Sequence, residues 1–363
     1  MRHFFVFIAI AALFMSGAFE QAEGALILGG DFGGADLLPN NGDILSGTFT
    51  NVGQFIVNLG DTVLVDPGVA LSVTANKIDI DGTLAGTGAG FAGGLAPTPV
   101  PNNNPGAPGG GPGGGAGGGF GPDVHGEGGG GGGYGGPGGQ GGENTFGNNP
   151  PGPALGGPTY GDASSPSVDM GSGGGAAASH NCCDPAIGGD GGSGGSSISL
   201  FATDIFLDGA IIADGQNGFL GTIGSFSSSS GGGGAGGGIL LDGAMTLNGL
   251  LSARGGSGAG FAGPSGGFAT SGGGGGGGRI KLFGESFFDV GFSVDVSGGG
   301  FGATDPGFIK ADATAGAVGT FFDDTVPITT VIPEPGTLTL LLISIFGLLG
   351  YGYSRKRRES TSV

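Results

Sequence analysis

The 363-residue chain contains no tryptophan, two cysteines, three histidines and only ten lysines and arginines. Each scarcity removes a class of function. Between residues 25 and 333 the only cations are Lys77, Arg254, Arg279, Lys281 and Lys310, against 25 of the 29 acids. Phosphate binding needs basic patches, so nucleic acid is a poor partner. Tyr134 and Tyr160 are the only tyrosines in that span, so no aromatic platform for sugars is evident. His125 and His180 stand alone in glycine-rich stretches. No Ser-His-Asp set, His-Glu-x-x-His pair or nucleophile elbow occurs, and no catalytic residue, cofactor or metal site is expected. Cys182 and Cys183 are adjacent, which leaves a strained vicinal ring, an intermolecular crosslink or free thiols as the alternatives.

What the chain has instead is glycine, 97 residues of it, with 21 prolines. The glycines come in runs such as 128–133 and 272–278, without the strict Gly-X-Y period of collagen. Glycine loses the most backbone entropy on ordering and buries no side chain, so 101–195 is expected to be low-complexity and disordered, as are the other glycine runs. Gly188-Gly-Asp-Gly-Gly192 resembles the glycine-aspartate repeats that bind calcium in β-rolls. No tandem nonapeptide series follows, and a specific calcium site is not expected.

Between the glycine runs a pattern recurs. Short alternating apolar segments separated by a turn begin near Val69, at Ile198 and at Ile239, and a degenerate copy starts at Arg279. Ile198, Ile239 and Ile280 are spaced by 41 residues. Period-2 alternation inside a constant repeat is the signature of a stacked β array. Asp-Gly at 81–82, 208–209 and 242–243 is expected to supply turns. A propeller blade needs four strands per repeat, whereas these units hold two or three, so the expected fold is all-β, a parallel β-helix or solenoid with long glycine-rich loops. Such folds can host carbohydrate-active enzymes, and Asp79, Asp81, Asp208 and Asp242 could face Arg254, Arg279 and Lys281. Asp-Gly more commonly marks a turn, so a non-enzymatic role is expected.

The ends speak of export. Met1-Arg2-His3 is a basic start, residues 4–15 are apolar, and Ala22 and Gly24 are small residues where a signal peptidase reads; residues 1–24 are expected to be a signal peptide and Ala25 the first mature residue. At the other end Pro333-Glu334-Pro335 precedes an uncharged run over 337–353, long enough for one transmembrane helix, and then Arg355-Lys356-Arg357-Arg358, a basic stop expected on the cytoplasmic side. Between these ends lie an N-terminal β-solenoid region (25–100), the glycine- and proline-rich segment (101–195), the repeat region (196–312) and a linker (313–332), with the sorting and anchor segment at 333–358 and a tail at 359–363.

The order proline motif, short helix, arginine cluster resembles the PEP-CTERM sorting signal of Gram-negative bacteria, read by exosortase, a membrane-embedded cysteine transpeptidase. The resemblance covers Pro333 to about Arg358. It implies that Pro333, Glu334 and Pro335 are recognition residues, that the tail is cleaved near them after export, and that the protein passes from the inner membrane to the cell surface or extracellular matrix. Families with this tail are associated with exopolysaccharide and biofilm, so extracellular polysaccharide and self-association are the implied partners. The repeat unit is similar to the glycine-rich solenoid repeats of many secreted bacterial proteins.

Overall fold

The computed structural model describes residues 24–98, 104–119, 126–144, 152–179, 187–222, 228–260, 270–284, 287–289, 291–303 and 309–325. They belong to one compact unit, Met1–Val326; a second unit, Pro327–Val363, lies outside the described residues, and so do 337–353.

The described residues are all-β. In chain order the strands are β1 (Leu26–Asp31), β2 (Ile44–Val57), β3 (Thr62–Val65), β4 (Leu71–Ile80), β5 (Thr83–Ala85), β6 (Glu143–Asn144), β7 (Ser197–Leu207), β8 (Ala210–Ile212), β9 (Gly238–Leu247), β10 (Leu250–Ser252), β11 (Arg279–Gly284), β12 (Phe287–Asp289), β13 (Ser293–Asp295), β14 (Ile309–Ala311) and β15 (Thr320–Thr325). Apart from an antiparallel β6–β14 pair, every pairing between these strands is parallel, and the chain winds in a solenoid-like path.

Its coils stack in the register the repeat predicts. Ile198 pairs with Ile239, and Ile239 with Ile280. The early coils are shorter, with Leu26 opposite Ile44 and Ile44 opposite Leu64. Inward positions form columns of like residues: Leu71, Ile198, Ile239 and Ile280 in one, Val73, Leu200, Leu241 and Leu282 in the next, all fully buried. Each such side chain contributes about 1.5–3 kcal/mol by leaving water, so the columns hold the coils together.

Two of the three expected Asp-Gly turns are present. Asp81-Gly82 and Asp208-Gly209 follow β4 and β7, and a Cβ on Gly209 would lie 1.9 Å from the Gly82 carbonyl, so only glycine stacks there. The next turn in that column is Asn248-Gly249, whose glycine sits equally close to Gly209. Asp242-Gly243 corrects the expectation: it lies inside β9, where Gly243 at φ 153° bends the strand against Ala202.

The glycine runs overturn the expectation of disorder wherever they are described. Segment 228–238 is buried throughout. Its amides donate in rotation to three neighbours: Ser230, Gly233 and Gly236 to the carbonyls of Thr270, Gly273 and Gly276; Gly231, Gly234 and Gly237 to Phe219, Gln216 and Ala213; Gly232 and Ala235 to Gly175 and Ser172. Its carbonyls accept from three others, with Gly129 and Gly132 on one side, Gly189, Gly192 and Gly195 on a second, and Gly256 and Ala259 on a third. A three-residue rotation is the geometry of an extended threefold helix of polyproline II type. Here the helix over 228–238 is ringed by six others. Segment 270–278 is surrounded in the same way by 253–259, 129–136, 314–317, 230–236, 139–142 and 299–302.

Glycine is required because the chains touch. A Cβ on Gly233 or Gly236 would stand 2.0 or 2.1 Å from the carbonyls of Gly256 and Ala253, which places each glycine Cα against a neighbouring carbonyl oxygen. Ordering a residue costs about 1–2 kcal/mol and one backbone hydrogen bond returns about 0.5–1.5, so a free glycine helix would not hold. Here 228–237 runs directly into β9 and 270–278 into β11, and the ladder fixes those ends.

Coil and arm therefore repeat together, and the lattice has a written end. Gly195, Gly236 and Gly277 pack successively against Ala213, Ala253 and Val296, and Gly192, Gly233 and Gly274 against Gln216, Gly256 and Gly299. One repeat further these two columns hold Val318 and Ala315, both exposed, whose Cβ atoms occupy the place of a next layer. In the same last coil Asp323 stands in the register of buried Leu282 and caps its own turn through Thr325. An acid at an inward position blunts a sheet edge.

Candidate functional site

The cations proposed for a catalytic face are structural. Arg279 and Lys281 begin β11 and are 5% and 0% exposed. Lys281 Nζ donates to the carbonyls of Asp162, Ser165 and Ser167 at 2.7, 2.8 and 2.6 Å. Burial, foremost, holds its pKa below the ordinary lysine value. Arg279 donates to the Tyr160 carbonyl (2.9 Å) and to Thr320 Oγ1 (3.0 Å), and its guanidinium lies 5.4 Å from the centre of the Tyr134 ring. Tyr134 and Tyr160 pack at 4.9 Å; burial raises both phenols, Tyr160 to about 12. Tyr134 Oη accepts from the Asp169 amide, and Tyr160 donates to the Met170 carbonyl. Together these side chains pin segment 160–170 onto the repeat region. Sequence reasoning missed this because the partners lie 114–119 residues away.

The acids are not gathered around these cations. Asp79 pairs with Lys77 at 2.7 Å, Asp208 accepts from Asn248 at its turn, and Asp242 stands in register with Phe201 and Phe283. Arg254 bridges Asp214 and Asp295 at 3.4 and 3.8 Å. Asp190, in the calcium-like stretch, accepts the Ala96 amide at 2.6 Å within a lattice arm. No group of three or more metal-ligating side chains occurs among the described residues.

One surface collects polar side chains along an open groove. Where β2, β4 and β7 bend, a groove of about 550 Å³ is lined by Asp36, Gly53, Gln54, Asn76, Lys77, Thr203 and Asp204. Gln54, Lys77 and Asp204 come from three successive coils in register. Parallel strands are about 4.8 Å apart, so a ligand lying along the solenoid meets one such side chain per coil. Asp36 Oδ1 accepts the backbone N–H of Gln54 (2.9 Å), and Lys77 lies 4.9 Å from the centre of the Phe206 ring. Amide, carboxylate, hydroxyl and ammonium in one row offer donors and acceptors in alternation, which suits a hydroxyl-rich ligand. On the next coils the bend is bare, carrying Gly243 and Gly284.

The remaining site expectations fall outside the described residues: Pro333, Glu334, Pro335, Arg355, Lys356, Arg357 and Arg358, together with Ala22, Cys182 and Cys183. Gly24 is described, with its Cα against the Gly42 carbonyl. No helix among the described residues is long and apolar enough to cross a membrane. No family model matches the chain, and neither a curated protein nor a solved structure matches it.

Proposed function

We propose that the chain is an exported structural or adhesive protein of the cell surface or extracellular matrix, built as a parallel β-helix with a glycine lattice at its side. A signal peptidase removes the leader, the PEP-CTERM-like segment holds the precursor in the inner membrane, and exosortase processes it at Pro333-Glu334-Pro335. The observation that carries this reading is where the chemistry goes. Arg279, Lys281, Tyr134, Tyr160 and Asp190 are all engaged inside the fold, whereas Gln54, Lys77, Thr203 and Asp204 line an open groove. A body of this kind acts by being stiff and hydrated, and the groove is the place where it meets neutral polysaccharide. The acidic surplus disfavours polyanionic glycans. A carbohydrate-active enzyme would need Asp79, Asp208, Asp242 and Arg279 in one cleft, and their positions give that reading no support.

Intact mass and terminal peptides of the protein from membrane and surface fractions test the proposal. Surface material ending near Pro335 is expected. A chain keeping residues 355–363 in the inner membrane would overturn the surface assignment.

A further inference from the structure

Asp43 is a carboxylate only 5% exposed, at the head of β2, and no ion pair with a cation is found for it among the described residues. A carboxylate without a counter-ion depends on hydrogen bonds to hold its charge. Its oxygens are held by neutral groups: Oδ2 accepts the Asn40 amide at 2.8 Å and its side-chain nitrogen at 3.5 Å, and Oδ1 accepts the backbone N–H of Ala25 at 2.7 Å. Ala25 is exposed, and its carbonyl accepts from Ile44, which seats the start of β1 on β2. Immediately before it, Gly24 is wedged so tightly that a Cβ would lie 1.6 Å from the Gly42 carbonyl. No backbone amide among the described residues donates to that carbonyl.

We infer that the Gly24–Ala25 peptide bond is a processing site whose product completes the fold: the new α-ammonium of Ala25 becomes the cation that Asp43 lacks. Hydrolysis by a signal peptidase adds water across the amide. Gly24 leaves with the carboxyl group, and the nitrogen stays on Ala25 and takes up a proton at neutral pH. One N–H donor becomes three. One stays on Asp43 Oδ1, now as a charge-assisted bond, and another faces the Gly42 carbonyl vacated by Gly24. The first β strand is thereby tied to the second by an ion pair that the precursor cannot make. The inference rests on the export reading, and extends it by giving the cleavage a structural consequence.

The test is N-terminal sequencing of the exported protein, followed by acylation of its α-amine with an amine-directed reagent at neutral pH. Only the unprotonated amine reacts, and an α-amine ordinarily loses its proton near pH 7.7–8.0. The expected result is a terminus at Ala25 that is acylated about tenfold more slowly in the folded protein than in Asp43→Asn. Should Asp43→Asn not fold, the same protein in denaturant is the reference. A terminus at any other mature residue, or an equal rate in folded protein and reference, overturns the inference and leaves the export reading standing. A chain that still begins at Met1 overturns both.

Discussion

The β coils and the glycine arms share one 41-residue repeat, yet opposite kinds of residue hold them. In the coils, columns such as Ile198, Ile239 and Ile280 cohere because side chains fill the interior. In the arms, columns such as Gly195, Gly236 and Gly277 cohere because side chains are missing and carbonyls touch the Cα atoms. Burial organises the first region, and backbone hydrogen bonding organises the second. A residue's tolerance should therefore invert between them, with added bulk harmful in the arms and removed bulk harmful in the coils.

The largest effect is expected for Gly236→Val, which places branched carbon against the Ala253 carbonyl in a spot that allows 2.1 Å. Overpacking alone costs about 1–3 kcal/mol, and here backbone must move, so a loss of about 3 kcal/mol or more in chemical unfolding is expected. Ile239→Ala comes next, at about 2–5 kcal/mol from lost burial and the cavity left. Glycan binding sharpens the comparison from the coil side. The double variant Gln54→Ala/Asp204→Ala should lose at least about tenfold affinity for a neutral linear oligosaccharide, roughly 1.4 kcal/mol, with unfolding unchanged. Unaltered binding, or equal loss in Arg254→Ala, would remove the groove as the contact site. Asp43 gives a smaller, pH-dependent term. The Asn40 amide, foremost, holds its pKa below the ordinary carboxylate value. Its contribution is present above pH 4 or so and is lost as pH falls through the folded value, so Asp43→Asn should flatten that part of the acid limb of a stability profile. Smallest of all is Val318→Gly, one repeat beyond Gly277. Its side chain is largely exposed, and a change within about 0.5 kcal/mol is expected beyond glycine's own chain entropy.

The coils were legible in the sequence because alternation and a constant spacing report directly on which side chains face inward, and Ile198, Ile239 and Ile280 pair as their spacing demands. Asp242-Gly243 misled because Asp-Gly suits both a turn and a bent strand, and only stacking against Ala202 decides. The arms were not legible because the entropy of ordering glycine was weighed without the bonds each amide finds. A local signal existed. Residues 188–196 read Gly-Gly-Asp, Gly-Gly-Ser, Gly-Gly-Ser, with the glycines buried and Asp190 and Ser193 partly exposed, so triplets mark an arm with one face free. Continuous small residues over 228–238 mark an arm with none. The groove was invisible for a different reason. Gln54 and Lys77 precede the insertion of 101–195 and Asp204 follows it, so the three meet only once the coils are in register.

Backbone amide exchange over 231–237, measured by mass spectrometry on the folded protein, tests the central claim most directly. Every amide in that stretch is bonded to a neighbouring arm. The lattice predicts protection comparable to that of β9, which follows it in the chain. Exchange at the rate of an open glycine peptide, with β9 still protected, would show that the arms are loops and contradict the account.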